Sequence, residues 1–195
     1  MVYKPKDTGY IEVIRGCMFA GKTEELIRRL NRLRYANQEA LVFKPKIDVR
    51  SSDEIVSHNG FRLVARDVGD SREARERIFA EQKFPRPVIA FDEAQFFDQG
   101  LVSLVQDLAK LSYRVIIAGL DTDFRGEPFG PMPQLLAVAD EDTKLHAICV
   151  ICGEPATMTQ RIVNGQPARH SDPVVLVGAS DYYEARCRKH HVVLP

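Results

Sequence analysis

The chain carries no net charge: 27 Lys and Arg stand against 27 Asp and Glu. Proteins that work by gripping nucleic acid gather cations on one face to neutralise phosphates, so the balance weighs against that class, although a local basic patch remains compatible with it. Long apolar runs are missing as well. No stretch approaches the roughly 20 residues that a membrane-spanning helix requires. The opening residues, MVYKPKDTGY, are polar and have no apolar block of the kind a secretory signal carries. The expectation is a cytoplasmic protein with no membrane partner and no nucleic-acid partner. Cysteine is sparse, four in 195 residues, and in a reducing compartment such residues are thiols or metal ligands rather than disulfides. There is no internal repeat and no low-complexity segment. What remains is 45% hydrophobic and 28% charged, the composition of a globular chain able to bury a core.

Periodicity organises the first two thirds. Tyr10–Arg15 (YIEVIR) is a β-branched run that stops at Gly16. From Thr23, Leu26, Leu30 and Leu33 recur at helical spacing, with Glu24 and Glu25 in the first turn, where acidic side chains suit the helix dipole. Further strands are predicted at 40–44, Val88–Phe91 and Arg114–Gly119. Further helices are predicted at 71–82, ended by Pro85 and Pro87, and along Leu101, Leu104, Leu108 and Leu111. Strands alternating with helices predict an α/β fold, a parallel sheet with helices on both faces. The pattern breaks after about Ala139. Short β-like runs and two Cys-containing pairs follow, without a convincing long helix. The division is therefore placed at 1–142 for the α/β domain and 143–195 for a small β-rich domain.

Gly16-Cys17-Met18-Phe19-Ala20-Gly21-Lys22-Thr23 fits G-x-x-x-x-G-K-[ST] at every fixed position. Glycines let the backbone curl so that successive N–H groups face phosphate oxygens. Lys22 supplies a mobile cation for the β- and γ-phosphates, and Thr23 a hydroxyl for Mg²⁺. The strand before and the helix after are the context that the motif needs, so ATP with Mg²⁺ is the expected ligand. A second carboxylate normally ends an apolar strand in such sites, and Val88-Ile89-Ala90-Phe91-Asp92 provides it. Asp92 is assigned to magnesium and Glu93 to general base. Spacing alone also fits an ATPase in which Glu93 polarises water and a protein partner is moved.

Cys149-x-x-Cys152 and Cys187-x-x-His190 have the spacing of paired zinc ligands. Three thiolates and an imidazole make a closed tetrahedral set, so the expected Zn²⁺ is structural. His191 beside His190 leaves two candidates for the fourth ligand. The 34 residues between Cys152 and Cys187 would form a loop clamped at its base. On this reading, removing zinc should damage the loop and whatever it binds, while the phosphate loop keeps its own core.

Taken in order, GCMFAGKTEEL at 16–26, KPKIDVR at 44–50, SHNG at 57–60, FDEAQFF at 91–97, GLDTDFRGEPFG at 119–130 and the two metal pairs resemble the cellular-type (type II) thymidine kinases from about Tyr10 to His191. The resemblance implies a RecA-like P-loop domain followed by a zinc-anchored lasso over the nucleoside. It implies ATP-dependent phosphorylation of thymidine to dTMP in nucleotide salvage for DNA synthesis, and a homotetramer. Glu93 falls on the family's catalytic base, and Asp92, Lys22 and Thr23 on its Mg-nucleotide groups. Met18, Phe96, Leu120, Phe124, Phe129, Val175 and Tyr183 fall on positions of the nucleoside pocket, where apolar walls suit a flat methylated base. The lasso around 175–183 would read thymine through its backbone. Asp48 and Arg50 fall close to the active site. Cys17 and Ala20 depart from the Pro and Ser common in this loop, and should contribute mainly backbone N–H groups.

Overall fold

The computed structural model of the chain describes residues 8–46, 54–56, 62–81, 86–175 and 182–195. Asp48, Arg50, the SHNG stretch and most of the lasso tip lie outside these residues.

In chain order, β1 (Tyr10–Arg15) leads to α1 (Lys22–Tyr35) and β2 (Ala40–Pro45). A hairpin, β3 (Glu54–Val56) with β4 (Arg62–Val64), precedes β5 (Arg66–Val68) and α2 (Ser71–Ala80). Then come β6 (Val88–Phe91), α3 (Gly100–Lys110), β7 (Arg114–Gly119), α4 (Met132–Ala137) and β8 (Glu141–Lys144). Six of these strands form one sheet in the order β5-β2-β6-β7-β1-β8, and every pairing in it is parallel. The alternation of apolar strands and helices thus produces the α/β sheet that the sequence predicts.

The period of two along each strand decides which side chain meets which helix. Ile14, Val42, Val88, Ala90, Ile116 and Ala118 face α1 and bury Leu26, Ile27, Leu30 and Leu33. Their neighbours Ile11, Val13, Leu41, Phe43, Ile89, Phe91, Val115 and Ile117 face the other way. They pack with Ala74 and Ile78 of α2, Leu101, Leu104, Val105 and Leu108 of α3, and Met132 and Leu135 of α4. The α1 side also holds a buried charge. Glu12 is fully buried, and its carboxylate takes Arg29 Nη1 and Arg114 Nε at 2.6 Å each.

Two elements escape the periodicity. β8 reads EDTK, with no apolar side chain, yet it pairs with β1 in parallel register from Glu12↔Glu141 to Arg15↔Lys144. Its charges are used sideways: Glu141 meets Arg29, Asp142 meets Arg15, and Lys144 meets Asp121. The sheet thus runs through 142, where composition places the division of the chain. The short α4 follows Pro131, which stands just before its first turn.

Beyond β8 the pairing becomes antiparallel and local. β9 (Ala147–Ile148) pairs with β10 (Pro155–Ala156). β11 (Met158–Val163) lies between β12 (Gln166–Pro167) and β13 (Tyr182–Arg186). No helix occurs among the described residues after Ala137. No helix of the described residues is long and apolar enough to cross a membrane.

Candidate active site

The carboxyl ends of β1, β6 and β7 lie side by side, so the loops that leave them converge. After β1 the backbone turns at Gly16 with φ 155°, where a Cβ would come 2.5 Å from the Leu145 carbonyl oxygen; only glycine fits. The loop 16–21 enters α1 at Lys22. Phe19 adopts a left-handed φ of 65° and is 60% exposed, so its ring is not part of the core. Lys22 curls back, its Nζ donating to the Cys17 carbonyl at 2.9 Å. Burial lowers the pKa of this amine, while Glu93, Cys17, Asp92 and Asp121 oppose the shift. Thr23 stands half-buried in the first turn.

The outer side of the loop rests on the C-terminal strands. Cys17 is fully buried and its thiol donates to the Ala156 carbonyl at 3.4 Å. The Met18 N–H donates to Thr159 Oγ1 at 3.1 Å. Cys17 therefore supplies packing as well as backbone.

At the end of β6, Asp92 is buried and its N–H donates to the Phe43 carbonyl of β2. The strand stops there. Glu93 is not extended but left-handed, with φ 51° and ψ 41°, and a single 3₁₀ turn follows at Ala94–Phe96. Alternation along a strand therefore does not decide where these two carboxylates point. Burial and the adjacent Glu93 charge push Asp92 up to about 7, against the Glu93 N–H, Lys22 and Lys44. Gln95 Nε2 donates to Glu93 Oε2 at 2.5 Å.

The loop after β7 supplies apolar walls. Phe96 and Phe129 meet edge to face, centroids 5.3 Å apart. The Leu120 N–H is held by Gln95 Oε1 at 2.9 Å. Phe124 is buried, with the guanidinium carbons of Arg125 and Arg161 each 5.3 Å from its ring centroid. Those two arginines also donate to the carbonyls of Asp172 and Pro173. Of the remaining candidates, Met18 is half-buried in the phosphate loop. Val175 is exposed, and Tyr183 is half-buried on β13 in register with Arg161.

Cys149, Cys152, Cys187 and His190 come together with all ligand atoms within 4.8 Å of one another. Cys149 Sγ lies 3.7 Å and Cys187 Sγ 3.4 Å from His190 Nδ1, and Cys152 Sγ lies 3.8 Å from Cys187 Sγ. A tetrahedron with Zn–S of about 2.3 Å and Zn–N of about 2.05 Å has S···S edges of about 3.8 Å and S···N edges of about 3.6 Å. The donor set fits a structural zinc ion. Burial resists ionisation of Cys149, but backbone hydrogen bonds from Cys187, Ile151 and Cys152, with the His190 ring, bring its pKa down to about 5. His191 is not in the cluster: its Nε2 lies 2.8 Å from the Phe124 carbonyl oxygen, as a donor to it.

The chain matches the thymidine kinase family over residues 9–191, nearly its whole length. It belongs to that family. Membership makes the chain a kinase of nucleotide salvage, with a nucleoside as its substrate class. Two residues at the centre of the geometry, Gln95 and Thr159, were not among the sequence candidates. Gln95 had a weak signal, a lone amide between an acidic pair and two phenylalanines. Thr159 had none, since its partner lies 141 residues away.

Proposed function

We propose that the chain transfers the γ-phosphoryl group of ATP to the 5′-hydroxyl of thymidine, giving ADP and dTMP. The observation that carries this reading is the place of Glu93. Its carboxylate acts electrostatically on Lys22 of the phosphate loop and is bonded to Gln95, which also holds the apolar wall at Leu120. A group between a phosphate cradle and an apolar pocket can serve both reactants.

In this mechanism the backbone N–H groups of 16–21 and the first turn of α1 receive the phosphates, and Lys22 releases Cys17 to reach the β- and γ-oxygens. Asp92 and Thr23 would hold Mg²⁺; a buried carboxylate raised by its neighbour suits a cation that offsets the repulsion. When bound there, Mg²⁺ supplies charge stabilisation across the β- and γ-phosphates. Glu93 accepts the proton of the 5′-hydroxyl as its oxygen bonds the γ-phosphorus and the bond to the β-phosphate oxygen breaks. Met18, Phe96, Leu120, Phe124, Phe129, Val175 and Tyr183 would surround the base and sugar. The segment between the zinc pairs would keep water from competing as acceptor. Zinc in the Cys149, Cys152, Cys187 and His190 site would be structural. Family resemblance further supports a homotetramer, which light scattering of the purified protein tests.

The deciding assay is ADP release against a panel of nucleosides. Thymidine-dependent release is expected; equal release without any nucleoside would make the chain an ATPase.

A further inference from the structure

Gln95 is 2% exposed, and both ends of its amide are engaged. Its backbone lies in the turn after Glu93. That backbone is closely covered: a Cβ on Gly130, itself at φ 52°, would overlap the Gln95 carbonyl oxygen, so the loop at Gly130 is seated directly on it. The orientation of the amide follows from chemistry. The Leu120 N–H can only donate, so the atom facing it at 2.9 Å must be the oxygen. The NH₂ end is thereby turned to Glu93 Oε2 at 2.5 Å, and it needs an acceptor there.

We propose that Gln95 is a positioning residue for phosphoryl transfer, one that locks the Glu93 carboxylate and assigns the incoming proton to Oε1. The inference rests on the reading of Glu93 as the base. A glutamate side chain is among those with the most rotamer freedom to lose when fixed, and Glu93 sits on a left-handed backbone that fixes nothing beyond its Cβ. The amide of Gln95 fixes the rest. With Oε2 occupied, Oε1 is the oxygen free to face the acceptor hydroxyl. Proton balance is complete: the hydroxyl proton passes to Oε1 as its oxygen bonds phosphorus and ADP departs. The neutral acid then still offers Oε2 as a carbonyl acceptor to Gln95, so the anchor survives the transfer without rearrangement. Because the same amide holds the Leu120 backbone, the base and the apolar wall move as one piece.

The test is a double-mutant cycle in steady-state kinetics with ATP and thymidine. Gln95→Met removes both hydrogen bonds at similar length. It is expected to lower kcat on the order of 10–100-fold, with KM for ATP within about twofold. In a Glu93→Gln background the same substitution should cost less than about threefold more, because its effect acts through Glu93. Gln95→Glu keeps the shape and an acceptor for the Leu120 N–H but sets a carboxylate oxygen against Glu93; it should lose at least as much kcat as Gln95→Met. Wild-type kcat in Gln95→Glu, or losses that multiply fully across the cycle, would overturn the inference. If Glu93→Gln alone retained wild-type kcat, the base reading itself would fall and Gln95 would have nothing to position.

Discussion

The hydroxyl of Thr159, on the middle strand of the C-terminal sheet, accepts the backbone N–H of Met18 in the phosphate loop at 3.1 Å. Thr159 is almost fully buried, so this bond links the phosphate loop to β11 at the point where nucleotide would bind. Thr159→Val keeps the shape and removes the acceptor. A buried neutral hydrogen bond contributes about 1 kcal/mol, so affinity for a non-hydrolysable ATP analogue should fall about fivefold. Thr159→Ser should restore it. Titration calorimetry of the three proteins checks this, and equal affinities would dissolve the link.

Glu93→Gln retains an oxygen for the Gln95 amide while abolishing the base. The expected loss in kcat is roughly 10²–10⁴-fold, with ATP-analogue affinity nearly unchanged. Single-turnover measurement with bound ATP isolates the chemical step. A mutant at wild-type rate would remove Glu93 from the reaction.

Metal removal should reach both substrates. The sequence suggested that a zinc-clamped loop would fail alone while the phosphate loop stood on its own core. The structure instead places Cys17 in one apolar cluster with Cys149, Ala147, Ala156 and Ala185, with Ala20 and Cys187 packed against it. Chelation, or Cys149→Ser with Cys152→Ser, is therefore expected to weaken the ATP analogue as well as the nucleoside. Retention of full ATP-analogue affinity in the metal-free protein would show the phosphate loop to be independent after all.

Glu12 offers a stability test away from the chemistry. Its carboxylate is fully buried and bonded to Arg29 and Arg114. Removing one partner of such a group strands charge, at a cost of about 3–5 kcal/mol. Arg29 retains Glu25 and Glu141, which points to the lower end of that range for Glu12→Ala. Urea unfolding measures it, and a loss below about 1 kcal/mol would mean that water reaches the site.

The parts legible in the sequence were those whose cause is local. Strands β6 and β7 could be read because both their faces are covered, leaving unbroken apolar runs, VIAF and VIIA, that end at their loops. The phosphate loop could be read because its glycines and lysine occupy fixed offsets. EDTK could not, because an edge strand held by pairing and by lateral ion pairs needs no apolar side chain. The backbone of Glu93 was missed because strand alternation says nothing once the chain turns left-handed. Gln95 and Thr159 were missed because each derives its meaning from a distant partner, Leu120 and Met18 respectively. Between His190 and His191 only folding could choose.

The outermost strands of the parallel sheet carry a consequence for assembly. β5 is three residues long and β8 four, and between them they expose or half-expose Arg66, Asp67, Glu141, Asp142 and Lys144. Short, charged rims of this kind give an incoming strand neither the length nor the neutrality to dock. Copies of the chain that come together are therefore not expected to join these two edges into one continuous parallel sheet.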